Sequence, residues 1–249
     1  GQLATQLVDD GLRRAREFSS DKYGGEVEKL TLKLLGIREK REEPPRDGEY
    51  VDLVIVSFNN LPVLKKCLAS IEENTSLPYR ITVVDNGSAE EVAGYLRSRS
   101  DLDCIFNESN EGYARACNQG ILNGQGEFVV LLNSDVEVQS GWLEELVECA
   151  RSDEKIAVLG PKMVNRENLI VGAGVTDFDD ICSSRGWKVP DGPGVYDEIE
   201  DVINVGGACY MIRRCLLPRL GLFDERFFFY YEETDYSLRA FPLGGFVRL

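Results

Sequence analysis

The sequence contains no histidine. This absence excludes Ser-His-Asp and Cys-His catalysis, histidine-ligated zinc, and imidazole as an acid or base. Acid–base chemistry must therefore come from carboxylates, tyrosine, lysine or cysteine. The seven cysteines are odd in number and show no C-x-x-C spacing, which indicates neither a zinc site nor a redox motif. We expect them to be reduced thiols in a reducing compartment.

Long apolar runs, cationic excess and the common phosphate loops are also lacking. No apolar run approaches 18 residues, so the sequence predicts no transmembrane helix. Lys plus Arg number 28 against 43 Asp plus Glu, and the net charge of −15 argues against nucleic-acid binding and against docking on anionic lipid. Neither G-x-x-x-x-G-K-[ST] nor a G-x-G-x-x-G after a strand is present, which removes the main support for kinase, P-loop and dinucleotide-binding functions. An acidic protein can still bind a diphosphate if a divalent metal ion supplies positive charge.

The 249 residues divide into three segments by composition. Residues 1–43 carry apolar residues near helical spacing in two stretches, which predicts a helical extension of two amphipathic helices. Such helices must pack on the main domain, on another domain or on another protomer. Residues 44–50 are polar and contain two prolines, as is typical of a linker. Residues 51–249 form the main domain.

The main domain alternates short β-branched runs with helical patterns. Apolar runs at 52–56, 80–85, 104–106 and 128–132 predict buried strands, and helical spacing predicts helices between and after them. A further strand is expected within 203–212, after an irregular excursion at 172–201. Alternation of this kind indicates an α/β fold with a mostly parallel sheet and helices on both faces.

Polar residues follow each of the four strands. Because ligands of an open parallel sheet bind beyond the carboxyl ends of its strands, these residues indicate a binding edge. Any one of them is also consistent with ordinary turn chemistry. The residues concerned are Ser57-Phe58-Asn59, Asp85-Asn86-Gly87-Ser88, Asn110-Glu111-Gly112 and Asn133-Ser134-Asp135.

These blocks, with others downstream, resemble family 2 glycosyltransferases, and most closely the bacterial rhamnosyltransferase-like subgroup. The resemblance runs from Val51 to Arg239. The blocks are Val56-Ser57-Phe58-Asn59, Val83-Val84-Asp85-Asn86-Gly87-Ser88, the run from Asn110 to Gly120, Leu131-Leu132-Asn133-Ser134-Asp135, Gly206-Gly207-Ala208-Cys209, and Gly221 to Phe228 continuing to Tyr231-Glu232-Glu233-Thr234-Asp235.

The resemblance implies a Rossmann-like GT-A fold and an inverting, metal-dependent transfer of a sugar. The donor would be a UDP- or dTDP-sugar, the metal Mg²⁺ or Mn²⁺, and the acceptor a saccharide or a lipid-linked molecule in cell-surface glycan synthesis. The expected location is the cytoplasm or the inner face of the membrane. A non-catalytic nucleotide- or partner-binding module of a larger glycan-assembly protein is the alternative, and a nucleotidyltransferase on a similar sheet is a weaker one.

The resemblance also assigns the nucleotide site. Asp85 would accept the ring N–H of uracil or thymine, although a turn residue is the competing interpretation. Arg115 could contact the nucleotide or form a surface ion pair. The other residues expected to contact the donor are Ser57, Phe58, Asn59, Asn86, Asn110, Asn133 and Ser134.

The metal and the catalytic base are assigned to carboxylates. Asn133-Ser134-Asp135 corresponds to the family's Asp-x-Asp motif, which leaves Asp135 as the expected ligand; helix capping is its alternative role. The family's base is usually the second acidic residue of the later pair, here Glu233, where Asp is more common. Glu232 and Asp235 are the alternatives, and these two would share a helix face.

Two expectations concern the end of the chain. The aromatic run from Phe227 to Tyr231 is expected mainly in the core, with one or two rings forming a stacking wall for the acceptor. Many relatives carry a further metal-ligating histidine downstream of the acidic pair. Because this sequence has none, either the domain is truncated at its C-terminus or water completes the metal site. The strand-like pattern at the end of the sequence favours truncation.

Overall fold

A computed structural model describes residues 50–177, 179, 183–241 and 246–248. The predicted helical extension at 1–43 and all of the linker except Tyr50 lie outside these ranges. The elements, in chain order, are β1 (Val51–Ser57), α1 (Leu61–Asn74), β2 (Tyr79–Asp85), α2 (Glu90–Ser98), β3 (Asp103–Phe106), α3 (Tyr113–Asn123), β4 (Phe128–Asn133), α4 (Trp142–Ser152), β5 (Ile156–Leu159), β6 (Met163–Val164), β7 (Ile170–Gly172), β8 (Asp201–Val202), β9 (Cys209–Arg213), a 3₁₀ turn (Arg214–Leu216), α5 (Leu217–Leu220), α6 (Glu232–Ala240) and β10 (Phe246–Arg248).

Eight strands form one mixed sheet in the order β3-β2-β1-β4-β9-β5-β10-β8. The first four neighbours are parallel, and β5 and β10 are parallel to each other. β9 enters antiparallel between β4 and β5, and β8 pairs antiparallel with β10. The prediction of a mostly parallel sheet is therefore confirmed, with reversed strands at two positions.

Two hydrophobic layers cover the faces of this sheet. Leu64, Val92 and Leu143, from α1, α2 and α4, belong to one buried cluster, and Ile121 and Tyr236, from α3 and α6, belong to the other. The strands read as continuous apolar runs because both of their faces are buried. Helices on both faces were predicted, and the structure confirms them.

Helix α3 approaches the sheet closely enough to require glycine. A Cβ placed on Gly120 would lie 2.2 Å from Cγ1 of Val54 in β1, which is far inside van der Waals contact. This packing brings the beginning of α3, at Tyr113, to the edge where the parallel strands end.

The irregular part of the chain differs in detail from the sequence prediction. The strand expected within 203–212 is Cys209–Arg213, while Asn204 forms only an isolated antiparallel bridge with Val175. The small two-stranded sheet β6-β7 lies just before the excursion expected at 172–201 and shares only Gly172 with it. Two-residue and three-residue strands are too short to produce a recognisable alternation pattern, which explains why this sheet was not predicted.

Within the described ranges, no helix combines the length and the apolar character that a membrane span needs.

Candidate functional site

The ends of β1 and β2 form the first part of the site. Ser57 and Asp85 are paired across the two strands, and the Asn86 amide donates a hydrogen bond to the Ser57 carbonyl at 2.8 Å. Asp85 is 2% exposed, and its Oδ1 accepts the Ser88 amide at 3.2 Å. The Ser57 hydroxyl is buried and has no partner among the described residues. The two strand ends thus present a carboxylate and a hydroxyl side by side.

Asn59 fixes the turn that follows β1. Its backbone has φ = 58°, and its amide donates to Ser88 Oγ at 2.9 Å while its Oδ1 accepts the Ala89 amide at 2.8 Å. Phe58 beside it is exposed. The two turns are therefore bound to each other, and Phe58 is left facing solvent at the edge.

Asn86 is buried, and its amide is used entirely within the protein. Nδ2 donates to Asn110 Oδ1 and to the Gly112 carbonyl, at 2.9 and 3.2 Å. Oδ1 accepts Asn107 Nδ2 and the Glu111 amide, at 3.0 and 3.1 Å. The expected contact of this side chain with a nucleotide would need some of these bonds to break, so the geometry favours a supporting role that shapes the loop before α3.

Asn110 and Arg115 also have partners within this region. Asn110 Oδ1 accepts the Gly112 amide at 3.0 Å in addition to Asn86. The Arg115 guanidinium forms an exposed ion pair with Glu111, one helical turn away, at 3.1 Å. Of the two roles expected for Arg115, the surface ion pair is the one that this structure contains.

The segment Asn133-Ser134-Asp135 turns away from the end of β4. The Asn133 amide donates to the Ala208 carbonyl at 2.9 Å, and the Cys67 thiol lies 3.7 Å from the Asn133 carbonyl. Asp135 is exposed and has no hydrogen-bond or ion-pair partner among the described residues. Burial, with the charges of Asp135 and Glu137, raises the pKa of Cys67 to about 12.

A divalent metal ion fits this segment in one specific way. The described part of the chain contains no group of three or more Asp, Glu, Cys or His side chains that could hold an ion. Mg²⁺ is commonly bound by one or two carboxylates, several waters and the phosphates of a substrate. An exposed, unpaired Asp135 carboxylate suits that mode of binding, and the residues are compatible with the expected metal.

The acidic residues of α6 have three different environments. Glu232 is 3% exposed, and its Oε2 has no hydrogen-bond partner in the part of the chain that the structure describes. Burial, followed by the neighbouring Glu233 charge, raises its pKa to about 7. Glu233 is half-buried, and burial raises its pKa against the opposing hydrogen bonds. Asp235 forms an ion pair with Arg239 at 2.9 Å. The Arg239 guanidinium also donates to the Leu222 carbonyl.

The expected common face of Glu232 and Asp235 therefore does not form a joint acidic site. Asp235 is engaged in an ion pair, while Glu232 is enclosed by protein. Glu233 is the acidic residue of this helix that combines partial access with a raised pKa.

Gly207 and Tyr113 connect Glu233 to the rest of the edge. A Cβ on Gly207 would lie 3.3 Å from Cγ and 3.4 Å from Cδ of Glu233. The Tyr113 hydroxyl is 3.5 Å from the Gly207 carbonyl. Gly207 precedes Ala208, whose carbonyl accepts the Asn133 amide, so two contacts on adjacent residues join the segments that carry Asp135 and Glu233.

The aromatic run is exposed, contrary to the expectation of a mainly core position. Phe228, Phe229, Tyr230 and Tyr231 are 51–65% exposed. The backbone of Phe228 faces α3, because its carbonyl accepts the Tyr113 amide at 2.7 Å and would lie 2.8 Å from a Cβ on Gly112. The rings are not free of the protein, because the Phe228 ring would also lie 2.9 Å from a Cβ on Gly112 and the Phe229 ring packs edge-on against Tyr113 with centroids 6.0 Å apart. Much of each ring is nevertheless open to solvent, and the stacking wall stays a prediction.

Sequence reasoning did not identify the polar residues behind Glu233. These are Asn204, Tyr210, Thr234 and Ser237, all buried. Asn204 and Thr234 are 30 residues apart and meet only in the folded chain. An asparagine in an irregular segment carries no periodic signal that could have revealed this contact.

Both the sequence and the fold have known relatives. The family described as "Glycosyl transferase family 2" matches residues 52–214. The low-salt glycan biosynthesis hexosyltransferase Agl10 of Haloferax volcanii is 28% identical over 76% of the chain and 61% of its own length. The N-acetylglucosaminyl-diphospho-decaprenol L-rhamnosyltransferase of Mycobacterium tuberculosis is 23% identical over 79% of the chain and 72% of its own length. The chain thus spans less than two thirds of the length of the Haloferax hexosyltransferase.

The solved structure of GalNAc-T7 with UDP, GalNAc and Mn²⁺ has the same fold. It aligns with a TM-score of 0.64 and 18% identity over 92% of this chain and 51% of that chain. The predicted GT-A architecture is therefore confirmed.

Proposed function

The chain belongs to glycosyl transferase family 2, and from that membership we propose that it is an inverting glycosyltransferase that uses Mg²⁺ or Mn²⁺. It would move a hexosyl or deoxyhexosyl group from a UDP- or dTDP-sugar to a saccharide or lipid-linked acceptor in cell-surface glycan synthesis. The observation that carries the proposal is the contact chain from Asn133 through Ala208 and Gly207 to Glu233, which joins the unpaired Asp135 segment to a half-buried carboxylate.

The nucleotide would lie across the ends of β1 and β2. Asp85 is the acceptor for the ring N–H of the base, and the unpartnered Ser57 hydroxyl is available beside it. Phe58 and Asn59 would form the side of this pocket. Asn86 and Asn110 act as supporting residues, since their amides already hold the loop that borders it.

Asp135 would hold the divalent metal ion, with Asn133 and Ser134 shaping the turn. The ion would neutralise the charge that develops on the departing nucleoside diphosphate. Arg115, the cation expected at this edge, is paired with Glu111. A divalent ion is the source of positive charge consistent with the acidic composition.

Glu233 would take the proton from the acceptor hydroxyl during displacement at the anomeric carbon. Burial raises its pKa toward the working pH, which improves a general base. Glu232 is the alternative, and Asp235 is disfavoured by its ion pair. The outward rings at 228–231 border α6 and would stack against the sugar ring of the acceptor.

Calorimetric titration of UDP and of dTDP, with and without Mn²⁺, tests the proposal. We expect binding of at least one nucleotide to be stronger with the metal. Asp135→Ala should remove the metal dependence, while the control Glu137→Gln, two residues away and ion-paired with Arg166, should retain it. Absence of binding by the unaltered protein would contradict the proposed donor.

A non-catalytic module of a larger glycan-assembly protein is the second candidate. It is favoured by Glu233, which stands where the resemblance more commonly has Asp. The two candidates differ in turnover: nucleotide binding without any transfer or donor hydrolysis would support the module.

A further inference from the structure

A line of hydrogen bonds leads from the sheet to the Glu233 carboxylate. Asn204 Nδ2 donates to Thr234 Oγ1 at 2.9 Å, and Thr234 Oγ1 donates to Glu233 Oε1 at 3.3 Å. On the other side of the amide, Ser237 Oγ donates to Asn204 Oδ1 at 2.8 Å. The Tyr210 hydroxyl lies 2.7 Å from Ser237 Oγ.

Counting protons gives these bonds a single direction. Ser237 has one hydroxyl proton and donates it to Asn204, so any proton in its contact with Tyr210 comes from Tyr210. The Tyr210 hydroxyl has a second acceptor, the backbone carbonyl of Glu233, at 3.2 Å. Thr234 accepts from Asn204, so its own proton is free for Glu233. The Asn204 and Thr234 donors therefore point toward Glu233 Oε1. A donated hydrogen bond is stronger to a charged carboxylate than to a neutral carboxyl group, so this arrangement favours the ionised form.

The groups in the line are held in place independently of Glu233. Asn204 is 4% exposed, and its backbone carbonyl accepts the Val175 amide at 2.8 Å. The Val175 carbonyl in turn accepts the Ile203 amide at 2.7 Å. Tyr210 lies within β9 in the centre of the sheet. The line thus begins on fixed backbone and ends on a side chain at the edge.

We propose that Asn204 and Thr234 are positioning residues that hold the Glu233 carboxylate oriented and ionised for its role as the base. This inference rests on the proposed function for its catalytic meaning. That these two side chains stabilise the charged form of Glu233 does not depend on the proposed function.

The surroundings of Glu233 make such stabilisation necessary. The titratable groups that face it are Glu232 from α6, Tyr113 from α3 and Tyr210 from β9. None of these is a cation, and burial disfavours the charged form. Hydrogen bonds from Thr234 and Asn204 lower the Glu233 pKa against that burial.

The experiment is an NMR titration of carboxyl carbons in the full chain labelled on glutamate, with the Glu233 signal identified by its loss in Glu233→Gln. We expect Thr234→Val, which keeps the shape but lacks the hydroxyl, to raise the Glu233 pKa by about one unit. Thr234→Ser should retain the unaltered value. Asn204→Ala should raise the pKa as well, because Thr234 then loses the donor that orients its proton.

Thr82→Val is the matched control, because Thr82 is a buried threonine of β2 whose Oγ1 accepts Asn123 Nδ2 at 3.2 Å, remote from Glu233. It should leave the Glu233 pKa unchanged. An unchanged or lowered pKa in Thr234→Val, or a raised one in Thr234→Ser, would overturn the proposal. Because the titration needs no substrate, this failure is distinct from a failure to bind nucleotide.

Discussion

The amide of Asn133 and the carbonyl of Ala208 form a 2.9 Å hydrogen bond at the point where β4 ends and β9 begins. This bond joins the segment that carries Asp135 to the segment that carries Gly207, which lies against the Glu233 side chain. The antiparallel entry of β9 makes it possible, because the beginning of β9 and the end of β4 reach the same edge.

Replacement of Gly207 by alanine should displace Glu233. The new Cβ would lie 3.3 Å from Glu233 Cγ, so the side chain must move by a few tenths of an ångström. We expect turnover to fall about tenfold, because catalytic groups tolerate little misplacement, while nucleotide affinity is kept. Gly192→Ala is the control, since nothing lies within 4 Å of a Cβ there. Equal turnover in the two variants would contradict the placement of Glu233.

Glu233→Gln should separate binding from chemistry. The amide cannot accept the acceptor proton, so donor transfer or donor hydrolysis should fall by at least about a hundredfold. Metal-dependent nucleotide binding, measured by calorimetry, should stay within about twofold. If Glu232→Gln rather than Glu233→Gln removes the turnover, the base is Glu232.

Glu232 should make the stability of the protein depend on pH. Its pKa is raised from 4.5 to about 7 on folding, so the folded state binds more protons than the unfolded state between these values. The free energy of unfolding should therefore fall as pH rises through this window, by on the order of 3 kcal/mol from this group. Glu232→Gln should flatten that part of the profile in urea titrations at pH 4.5, 6 and 8. A wild-type slope retained in the variant would rule out Glu232 as its source.

Asn86→Ala should destabilise the loop before α3. Its removal leaves the Glu111 amide without a partner and the Gly112 carbonyl with only the Ala116 amide, and we expect a loss of about 3 kcal/mol in the free energy of unfolding. Asn123→Ala, which removes a single bond to Thr82, should cost about 1 kcal/mol. Denaturant unfolding of both variants measures the difference. A similar cost for both would show that the Asn86 bonds contribute little.

Local patterns were sufficient to predict most of the scaffold. Buried runs and helical stripes placed β1 to β4 and the helices between them, and the residues after the strands indicated which edge holds the site. The side-chain directions at that edge were harder to predict. Asn86 follows the end of β2 and is buried, whereas Asp135 lies in the turn after β4 and is exposed. The sequence does not predict this difference, because side chains in a turn do not alternate between two faces as they do in a strand.

Two features depended on contacts that no sequence pattern encodes. The aromatic run was expected in the core on composition, but it lies at the beginning of α3 through the Phe228 carbonyl and the Phe229 ring, with much of each ring exposed. Asn204 reaches Thr234 across 30 residues. Both results depend on tertiary placement, which hydrophobic periodicity cannot specify.

The reversed strand β9 makes the site sensitive to strand register even where no edge residue changes. Leu131 pairs with Tyr210 and Leu132 with Cys209. Because successive side chains point to opposite faces, a slip of one residue would turn Tyr210 from the layer containing α6 to the layer containing α1. A single-residue insertion in this strand would therefore remove the phenol from behind Glu233 while Asp85 and Asp135 kept their places.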